Sequence, residues 1–316
     1  MSIPCVDRKT LDWLLAGDPA IRWQVERDLL HLPEKRWGAT RALVTREGWG
    51  AGIMRRFDPR LMWGVQDPHT YYESPDGSSL MMLQLLMQLG ALSRDPQVAE
   101  IVRTIAESVR HYADGRPFFE GETEACINGR LVAIGVYFGQ DMAPLVRQLL
   151  MERLPDGGWN CEAPQSQRSS VDSTICVLEG LRAFAGVHGM SELLAADLQS
   201  GEKYLMDRRL MYRLSTGQMI LSDLADTCFP WFYRYDILRA LCYFSHTGAM
   251  APAFREAVEV LRGKQRPNGR WALGDSFPPS GRNLTSLEPV GEDSRWITLM
   301  AARVLAWAEE NRAEGA

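Results

Sequence analysis

The sequence predicts two kinds of helix, and they alternate along the chain. In one kind, apolar residues cover almost the whole helix surface, as in residues 80–89 and 128–138, and this pattern predicts burial on every side. In the other kind, apolar residues recur every three or four positions, as in residues 96–112, which predicts an outer helix with one solvated face. Further apolar helices are predicted at residues 173–185, 235–244 and 295–308, and further amphipathic helices at residues 143–153, 191–209 and 252–262.

The N-terminal region carries weaker patterns. Asp18-Pro19 is a typical helix start signal. The cluster of Pro, Asp, Gly and Ser at residues 75–79 predicts a turn before the helix that follows it. The remaining predictions are helices at residues 10–15, 19–30 and 41–57, and a short strand pairing around residues 211–221.

A turn that carries a tryptophan precedes one of the apolar helices. Residues 154–161 read Leu-Pro-Asp-Gly-Gly-Trp-Asn-Cys, and the glycines supply the positive-φ positions of a tight turn. The Ser and Asp residues within 169–173 offer oxygens to the free N–H groups of the next helix. The same order recurs at residues 264–271 and more faintly at residues 114–117, so we infer an internal repeat with a spacing of roughly 40 to 60 residues.

Two architectures fit a repeat of buried and half-buried helices. One is an open α-solenoid, and the other is a closed (α/α) toroid of about five to six helical hairpins. A solenoid would expose polar residues on its concave face, whereas the apolar helices here have no polar face. We therefore predict an all-α toroid that forms a single domain over residues 1–316. Helices within residues 1–60 are expected to pack alongside a repeat core at residues 75–308.

Composition argues against several classes of function. The net charge is −5 without a basic tract, so nucleic acid is not an expected partner, and no apolar run reaches the roughly 20 residues of a membrane span. The N-terminus lacks the layout of a signal peptide, and the six cysteines form no Cys-x-x-Cys pair, so we expect reduced thiols and a cytoplasmic protein. No glycine-rich phosphate loop supports a nucleotide cofactor. None of these features predicts the oligomeric state.

The repeated turn and capped helix carry a resemblance to a known superfamily. Over roughly residues 78–308 the chain resembles the prenyltransferase and squalene-oxidase repeat of terpenoid cyclases and protein prenyltransferases. More closely, it resembles bacterial squalene-cyclase-like proteins, whose Cys-Ile-Asn-Gly and Gly-Gly-Trp-Asn-Cys-Glu blocks stand here at residues 126–129 and 157–162. Two further blocks depart from the family, because Asp172 and Arg234 replace its expected histidines.

The resemblance implies a site at one mouth of the toroid. Inner helices that point the same way bring their N-termini together, and their free N–H groups suit an anionic group above an apolar cavity. In the leading interpretation, the protein is a metal-independent cyclase, isomerase or lyase for an apolar isoprenoid- or polyketide-like molecule. Asp172 then acts as the acid or base, and Arg234 and Asp236 complete the catalytic set. The predicted substrate-binding residues are Trp63, Cys126, Asn128, Trp159, Cys161, Tyr233, Arg295 and Trp296.

Two alternative functions stay open. Cys126, Cys161 and Asp172 could ligate zinc in a prenyltransferase-like or lyase enzyme, although Arg234 would bring a positive charge to the fourth position. The protein could also bind a lipid or another small molecule without chemistry, since the loss of both histidines would suit a binding-only relative.

Several of these residues also have a possible structural role. Asp172 could be an N-cap paired with Arg234, and each cysteine could be a small buried hydrophobe. Trp159 and Trp271 are expected to pack between adjacent helices. The five histidines are scattered without ligand spacing, which predicts surface or cap positions.

Overall fold

The computed structural model describes residues 6–248, 250–275 and 287–313 of the chain. In these residues the regular structure is helical and β-type pairing is limited to isolated bridges, so the predicted all-α class is confirmed. The α-helices are α1 (Arg8–Leu15), α2 (Pro19–Asp28), α3 (Glu34–Arg41), α4 (Gly48–Arg55), α5 (Pro75–Leu89), α6 (Pro96–Ser108), α7 (Ala125–Tyr137), α8 (Ala143–Met151), α9 (Val171–His188), α10 (Glu192–Asp207), α11 (Ile237–Phe244), α12 (Arg255–Gly263) and α13 (Arg295–Ala313). None of the helices in this part of the chain is both long and apolar enough to cross a bilayer.

Three tryptophans mark equivalent turns between successive helices. The indole N–H of Trp63 donates to the carbonyl of Ile53 at 2.9 Å. Trp159 donates in the same way to Leu149 at 2.7 Å, and Trp271 donates to Leu261 at 2.8 Å. In each case the acceptor lies ten residues earlier, near the end of the preceding helix. Trp159 and Trp271 are completely buried, which confirms that they pack between helices.

Two further turns have a backbone hydrogen bond across the turn in place of the indole bond. The amide of Phe118 donates to the carbonyl of Val109 at 3.2 Å across the turn after α6, and the amide of Ile220 donates to Met211 at 2.8 Å after α10. The fainter turn predicted at residues 114–117 is therefore present. The strand pairing predicted around residues 211–221 is a single bridge between Tyr212 and Met219. In the described residues the helix–turn–helix unit recurs five times.

Serine side chains cap α5 and α9, two of the helices that follow these turns. The Ser74 hydroxyl accepts from the Gly77 amide at the start of α5, and the Ser170 hydroxyl accepts from the Ser173 amide at the start of α9. Such caps satisfy amides that have no partner within the helix. The interpretation of Asp172 as an N-cap is wrong, because Ser170 fills that position and Asp172 lies in the first turn of α9.

Two other predictions about helix bounds are wrong for local reasons. Residues 41–57 do not form one helix, because α3 ends at Arg41 and α4 begins at Gly48. Gly48 has a positive φ of 62°, and a Cβ there would lie 1.9 Å from a carboxylate oxygen of Asp18. Residues 75–79 are not a turn, since Pro75 occupies the first position of α5. Proline is well suited to that position because its missing N–H is not needed there.

The chain divides into two compact units. The central unit is Gly50–Tyr204, and the terminal unit combines Met1–Trp49 with Leu205–Ala316. The single domain over residues 1–316, the accessory role of residues 1–60, the repeat core at 75–308 and the closed toroid stay predictions.

Helices α5, α7 and α9 of the central unit run parallel to one another. The Arg130 side chain of α7 donates a hydrogen bond to the Gln84 side chain of α5 at 2.7 Å. Seven residues further along in each case, the Tyr137 hydroxyl donates to the carbonyl of Ala91. Contacts that advance together along two helices require the same direction. The N-termini of the two helices therefore lie on the same side.

Glycines bring α7 and α9 into close contact. A Cβ on Gly129 would lie 2.5 Å from the carbonyl oxygen of Cys176, and one on Gly180 would lie 2.2 Å from the carbonyl oxygen of Gly129. Only glycine fits such an approach between two backbones. Three residues before Gly129 and Cys176, the Cys126 amide of α7 and the Ser173 hydroxyl of α9 both contact the Cys161 sulfur. The two helices therefore run in the same direction, and their first turns lie side by side.

In the terminal unit, α13 packs against α2, α11 and α12. Asp18 organises its N-terminal part, since its carboxylate caps α2 through Ala20 and also accepts from the Trp49 amide at 2.7 Å. Arg303 of α13 reaches Asp28 and Gln24 of α2. These bonds connect the start of the chain to its last helix.

Candidate functional site

Two cysteines and a glutamate form a cluster in the central unit, which we call the thiol centre. The carboxylate of Glu124 and the thiols of Cys126 and Cys161 place one ligand atom each within 4.8 Å of one another. Cys126 lies in the first turn of α7, and Glu124 occupies the N-cap position of that helix. Cys161 comes from the loop before α9. The two cysteines singled out in the sequence thus lie close together in the structure.

The Cys161 sulfur accepts hydrogen bonds from both helix starts. The backbone amide of Cys126 donates to it at 3.2 Å, and the Ser173 hydroxyl lies 3.1 Å away. The Ser173 oxygen already accepts from the Cys161 amide and from the Ser170 hydroxyl. Its own hydrogen is therefore directed to the sulfur of Cys161.

These contacts separate the acidities of the two thiols. A hydrogen bond from the Cys126 thiol, helped by Ser173 and the Cys126 amide, lowers the pKa of Cys161 although burial acts against it. The same contact with Cys161, together with burial, raises the pKa of Cys126. Burial and the nearby charge of Glu122 raise the pKa of Glu124. Of the two thiols, Cys161 loses its proton first.

The tryptophan turn fixes the position of Cys161. The Trp159 amide donates to the Thr174 hydroxyl at 3.1 Å, and the Trp159 carbonyl accepts from the Ser170 amide at 2.8 Å. The amide and the carbonyl of Trp159 therefore both attach the loop to the start of α9. Cys161, two residues later, has little freedom to leave Ser173.

Asn128 fixes the other side of the thiol centre. Its side chain is fully buried, accepts from the Glu122 amide and donates to the Glu122 carbonyl, both at 2.8 Å. The Glu122 carboxylate in turn accepts from the Glu124 amide at 2.8 Å. Asn128, predicted as a substrate-binding residue, thus positions the segment that carries Glu124.

The predicted site residues are shared between the two units. Those in the central unit are Trp63, Cys126, Asn128, Trp159, Cys161 and Asp172. Those in the terminal unit are Tyr233, Arg234, Asp236, Arg295 and Trp296. Trp63 and Trp159 are buried and their indoles bond to backbone carbonyls, which gives both a structural role.

Arg234 and Asp236 are engaged within the terminal unit. The Arg234 guanidinium pairs with Asp223 at 2.5 Å and also with Asp275. The buried Asp236 carboxylate accepts from the amides of Cys228 and Arg239 and from the Trp231 indole at 2.9 Å. Burial raises the pKa of Asp236 to about 6 against these bonds. Asp236 therefore holds the loop before α11.

Arg295 and Trp296 lie in aromatic surroundings of the terminal unit. The Arg295 guanidinium covers the Trp13 ring at 4.4 Å and donates to the Trp13 carbonyl at 3.1 Å. Trp296 stacks on Phe229 with the ring centroids 4.2 Å apart. Tyr233 is half-buried.

One histidine departs from the surface or cap position predicted for it. His111 is buried, stacks on Phe118 and places Nε2 2.8 Å from the Phe118 carbonyl oxygen. Its place within the turn after α6 explains the burial, because this turn packs where the tryptophan turns pack in other repeats.

Sequence reasoning missed two residues of the central unit that lie at the thiol centre. Glu124 contacts Cys126, and Ser173 contacts Cys161. Glu124 has one signal, its position two residues before Cys126, while Ser173 was visible only as part of a capping cluster.

Comparisons with known proteins add little to this geometry. No protein-family model matches the chain, and no curated protein matches it. Among solved structures, one of a protein from Actinoplanes is 17% identical, with a TM-score of 0.43, and the match covers 95% of this chain and 97% of that one. Such a distant likeness assigns neither a family nor an activity.

Proposed function

We propose that the protein is a zinc-dependent enzyme that acts on an apolar, isoprenoid- or polyketide-like small molecule, in a cyclase, isomerase, lyase or prenyltransferase-like reaction. The observation that carries this proposal is the convergence of Glu124, Cys126 and Cys161 within 4.8 Å. The apolar substrate class comes from the superfamily resemblance. The five described cysteines are free, which supports a reducing, cytoplasmic location.

The donor set fits zinc. Two thiols and one carboxylate are ligands that zinc takes in proteins, and three protein ligands leave one position for substrate or water. Of the two thiols in this set, Cys161 has the lowered pKa, because three hydrogen-bond donors favour its thiolate. Glu124 replaces Asp172 in the ligand set that the sequence predicted.

The residues of the chain have separable tasks in this proposal. Zinc held there would supply a Lewis acid or would lower the pKa of a bound water. The Cys126 amide and the Ser173 hydroxyl hold the Cys161 sulfur in place. Asp172 lies next to Ser173 in the first turn of α9, where free N–H groups stabilise a carboxylate.

The decisive experiment measures zinc in protein purified without metal-affinity steps. We expect about one zinc per chain, lost in Cys161→Ser and retained in Cys242→Ser. Cys242 is a suitable control because it is a half-buried thiol in α11 of the other unit. Wild-type protein that contains no zinc and takes up none from buffered zinc solutions would exclude the metal.

A second candidate is the metal-independent enzyme in which Asp172 is the acid or base. The position of Asp172 supports this candidate, because Asp172 is adjacent to Ser173, which contacts the Cys161 sulfur. Asp172→Asn is expected to abolish conversion of apolar metabolites in an untargeted mass-spectrometric survey while leaving the thermal midpoint nearly unchanged. A variant that converts normally but melts earlier would assign Asp172 a structural role. Bound lipid without any conversion by wild type would favour a binding protein.

A further inference from the structure

The two sulfurs of the thiol centre come from different parts of the chain. Cys126 belongs to the first turn of α7, and Cys161 follows it by 35 residues in the loop before α9. Their sulfur atoms lie within 4.8 Å of each other. A disulfide bond joins two sulfurs at about 2.05 Å, so the gap to be closed is no more than about 3 Å. A change between staggered rotamers of the two cysteines covers a gap of this size.

Hydrogen bonds hold the Cys161 sulfur against the start of α7. The backbone amide of Cys126 donates to this sulfur at 3.2 Å, so Cys161 contacts the same residue that carries the second thiol. Ser173 holds it from the other side, since its oxygen lies 3.1 Å from the sulfur and accepts from the Cys161 amide at 3.2 Å. Two thiols held in this way react with each other far more readily than with a thiol in solution.

The two cysteines differ in their access to solvent. Cys161 is half-buried and is followed by the exposed Glu162, whereas the Cys126 side chain is only 7% exposed. The Cys126 thiol is directed at the Glu124 carboxylate, with its sulfur 3.6 Å from the carboxylate oxygen. A small oxidant from solvent therefore reaches the sulfur of Cys161 first, and Cys126 is the nearby thiol that can react with the oxidised sulfur.

We propose that peroxides convert the thiol centre into a disulfide between Cys126 and Cys161, and that this reversible oxidation releases zinc. Zinc is ligated by thiolates, and the sulfurs of a disulfide are no longer thiolates, so Glu124 alone would remain of the three ligands. The disulfide itself requires no metal, whereas the release of zinc rests on the proposed function. In a reducing compartment such a disulfide is transient and acts as a redox signal.

The oxidation consumes one peroxide and two thiols. In the first step, the Cys161 sulfur attacks one oxygen of hydrogen peroxide, the O–O bond breaks, and the thiol proton leaves with the second oxygen as water. In the second step, the Cys126 sulfur attacks the resulting sulfenic acid, an S–S bond forms and the S–O bond breaks. The Cys126 proton leaves with the hydroxyl as a second water, and Glu124 is placed to carry that proton.

Reduction restores the two thiols by exchange. The thiolate of a small thiol such as glutathione attacks one sulfur of the disulfide, and a second glutathione then releases the first. Both cysteines regain their protons, and the products are two protein thiols and one glutathione disulfide. The centre can then bind zinc again.

The test oxidises the protein as purified and, separately, the protein loaded with zinc. After a small molar excess of hydrogen peroxide, remaining thiols are alkylated and the linked peptides are identified by mass spectrometry. We expect the six thiols of the sequence to fall by two, with Cys126 joined to Cys161, and dithiothreitol to restore both. In the zinc-loaded protein, a colorimetric indicator should detect one zinc released for each disulfide formed.

Two variants separate the roles of the thiols. In Cys126→Ser the second thiol is missing, so Cys161 should stop at the sulfenic acid, which dimedone traps. The control is Cys242→Ser, which alters a half-buried cysteine in α11 of the other unit and should leave the yield of the disulfide unchanged. Thermal midpoints under reducing conditions show whether each variant is folded, and the peptide map of wild type tests the disulfide without any substitution.

The outcomes distinguish this inference from the proposed function. Oxidised wild type without a Cys126–Cys161 link, or with sulfenic acid at Cys161 as its end product, would overturn the disulfide. A disulfide that forms while all zinc is retained would overturn its connection to the metal. Protein that binds no zinc but forms the disulfide would reject the zinc-dependent function and leave the redox-sensitive pair in place.

Discussion

The turns at Trp159 and Trp271 are built by the same hydrogen bonds in different units of the molecule. In the central unit, the Trp159 amide donates to Thr174 and its carbonyl accepts from Ser170. In the terminal unit, the Trp271 amide donates to Thr298 and its carbonyl accepts from Ser294. Both indoles bond to the helix before the turn. In each unit, a threonine hydroxyl and a serine amide at the start of the following helix hold the turn in place.

The two turns differ at the positions that carry chemistry. Two residues after the tryptophan, the central unit has Cys161 and the terminal unit has Leu273. Three residues after the capping serine, the central unit has Ser173 and the terminal unit has Ile297. Leu273 and Ile297 are buried apolar residues. The repeat supplies the scaffold, and polar replacements in one copy supply the candidate site.

The largest effects should come from the tryptophans themselves. Trp159→Ala and Trp271→Ala are each expected to lower the free energy of unfolding by about 3–5 kcal/mol, because both rings are completely buried. Denaturant unfolding of each variant measures the loss. The control is Trp37→Ala, since this ring is half-buried, and we expect a loss of about 1 kcal/mol. A small loss at only one turn tryptophan would break the structural equivalence.

The equivalence of these turns explains what could be predicted from the sequence. Glycine, tryptophan and serine act through bonds close in the chain, so the repeat and the all-α class follow from local pattern. The parallel contact of α7 and α9 depends on Gly129 and Gly180, whose partner is a distant backbone. That contact brings Glu124 and Ser173 to one centre, and no local pattern indicates it.

Burial explains why the roles of Arg234 and Asp236 could not be predicted from the sequence. Asp236 and Arg234 have residue types suited to catalysis, and the sequence alone cannot show that their partners lie within the protein. The structure places three N–H donors on Asp236 and two carboxylates on Arg234.

A smaller effect is expected at the threonines that accept from the tryptophan amides. Thr174→Val and Thr298→Val keep the shape of the side chain but leave a buried amide without its acceptor, and we expect about 1–3 kcal/mol of destabilisation for each. The control is Thr104→Val in α6, where the hydroxyl bonds only within its own helix and the change should stay within about 0.5 kcal/mol. Losses that differ widely between the two turns would show that their amides are satisfied in different ways.

The smallest effect concerns acidity, and it tests whether the chemistry belongs to the replaced positions. Because the pKa of Cys161 is lowered, its alkylation by iodoacetamide in chelator-treated protein should begin at a lower pH than that of an ordinary thiol. Ser173→Ala removes a donor and should move the profile to higher pH, whereas Ser173→Thr keeps the hydroxyl and should restore it. Site-resolved mass spectrometry measures each rate.

The matched variant for this test is Leu273→Cys in the other turn. Its thiol would be buried, and the residue equivalent to Ser173 in this turn is the apolar Ile297. Burial without donors raises the pKa of a thiol. We therefore expect slow alkylation of the introduced thiol and a profile shifted to higher pH than that of Cys161. If both thiols titrate alike, the turn itself sets the acidity and Ser173 has no special part. If only Cys161 is acidic, the difference between the two copies lies in the helix starts that donate to its sulfur.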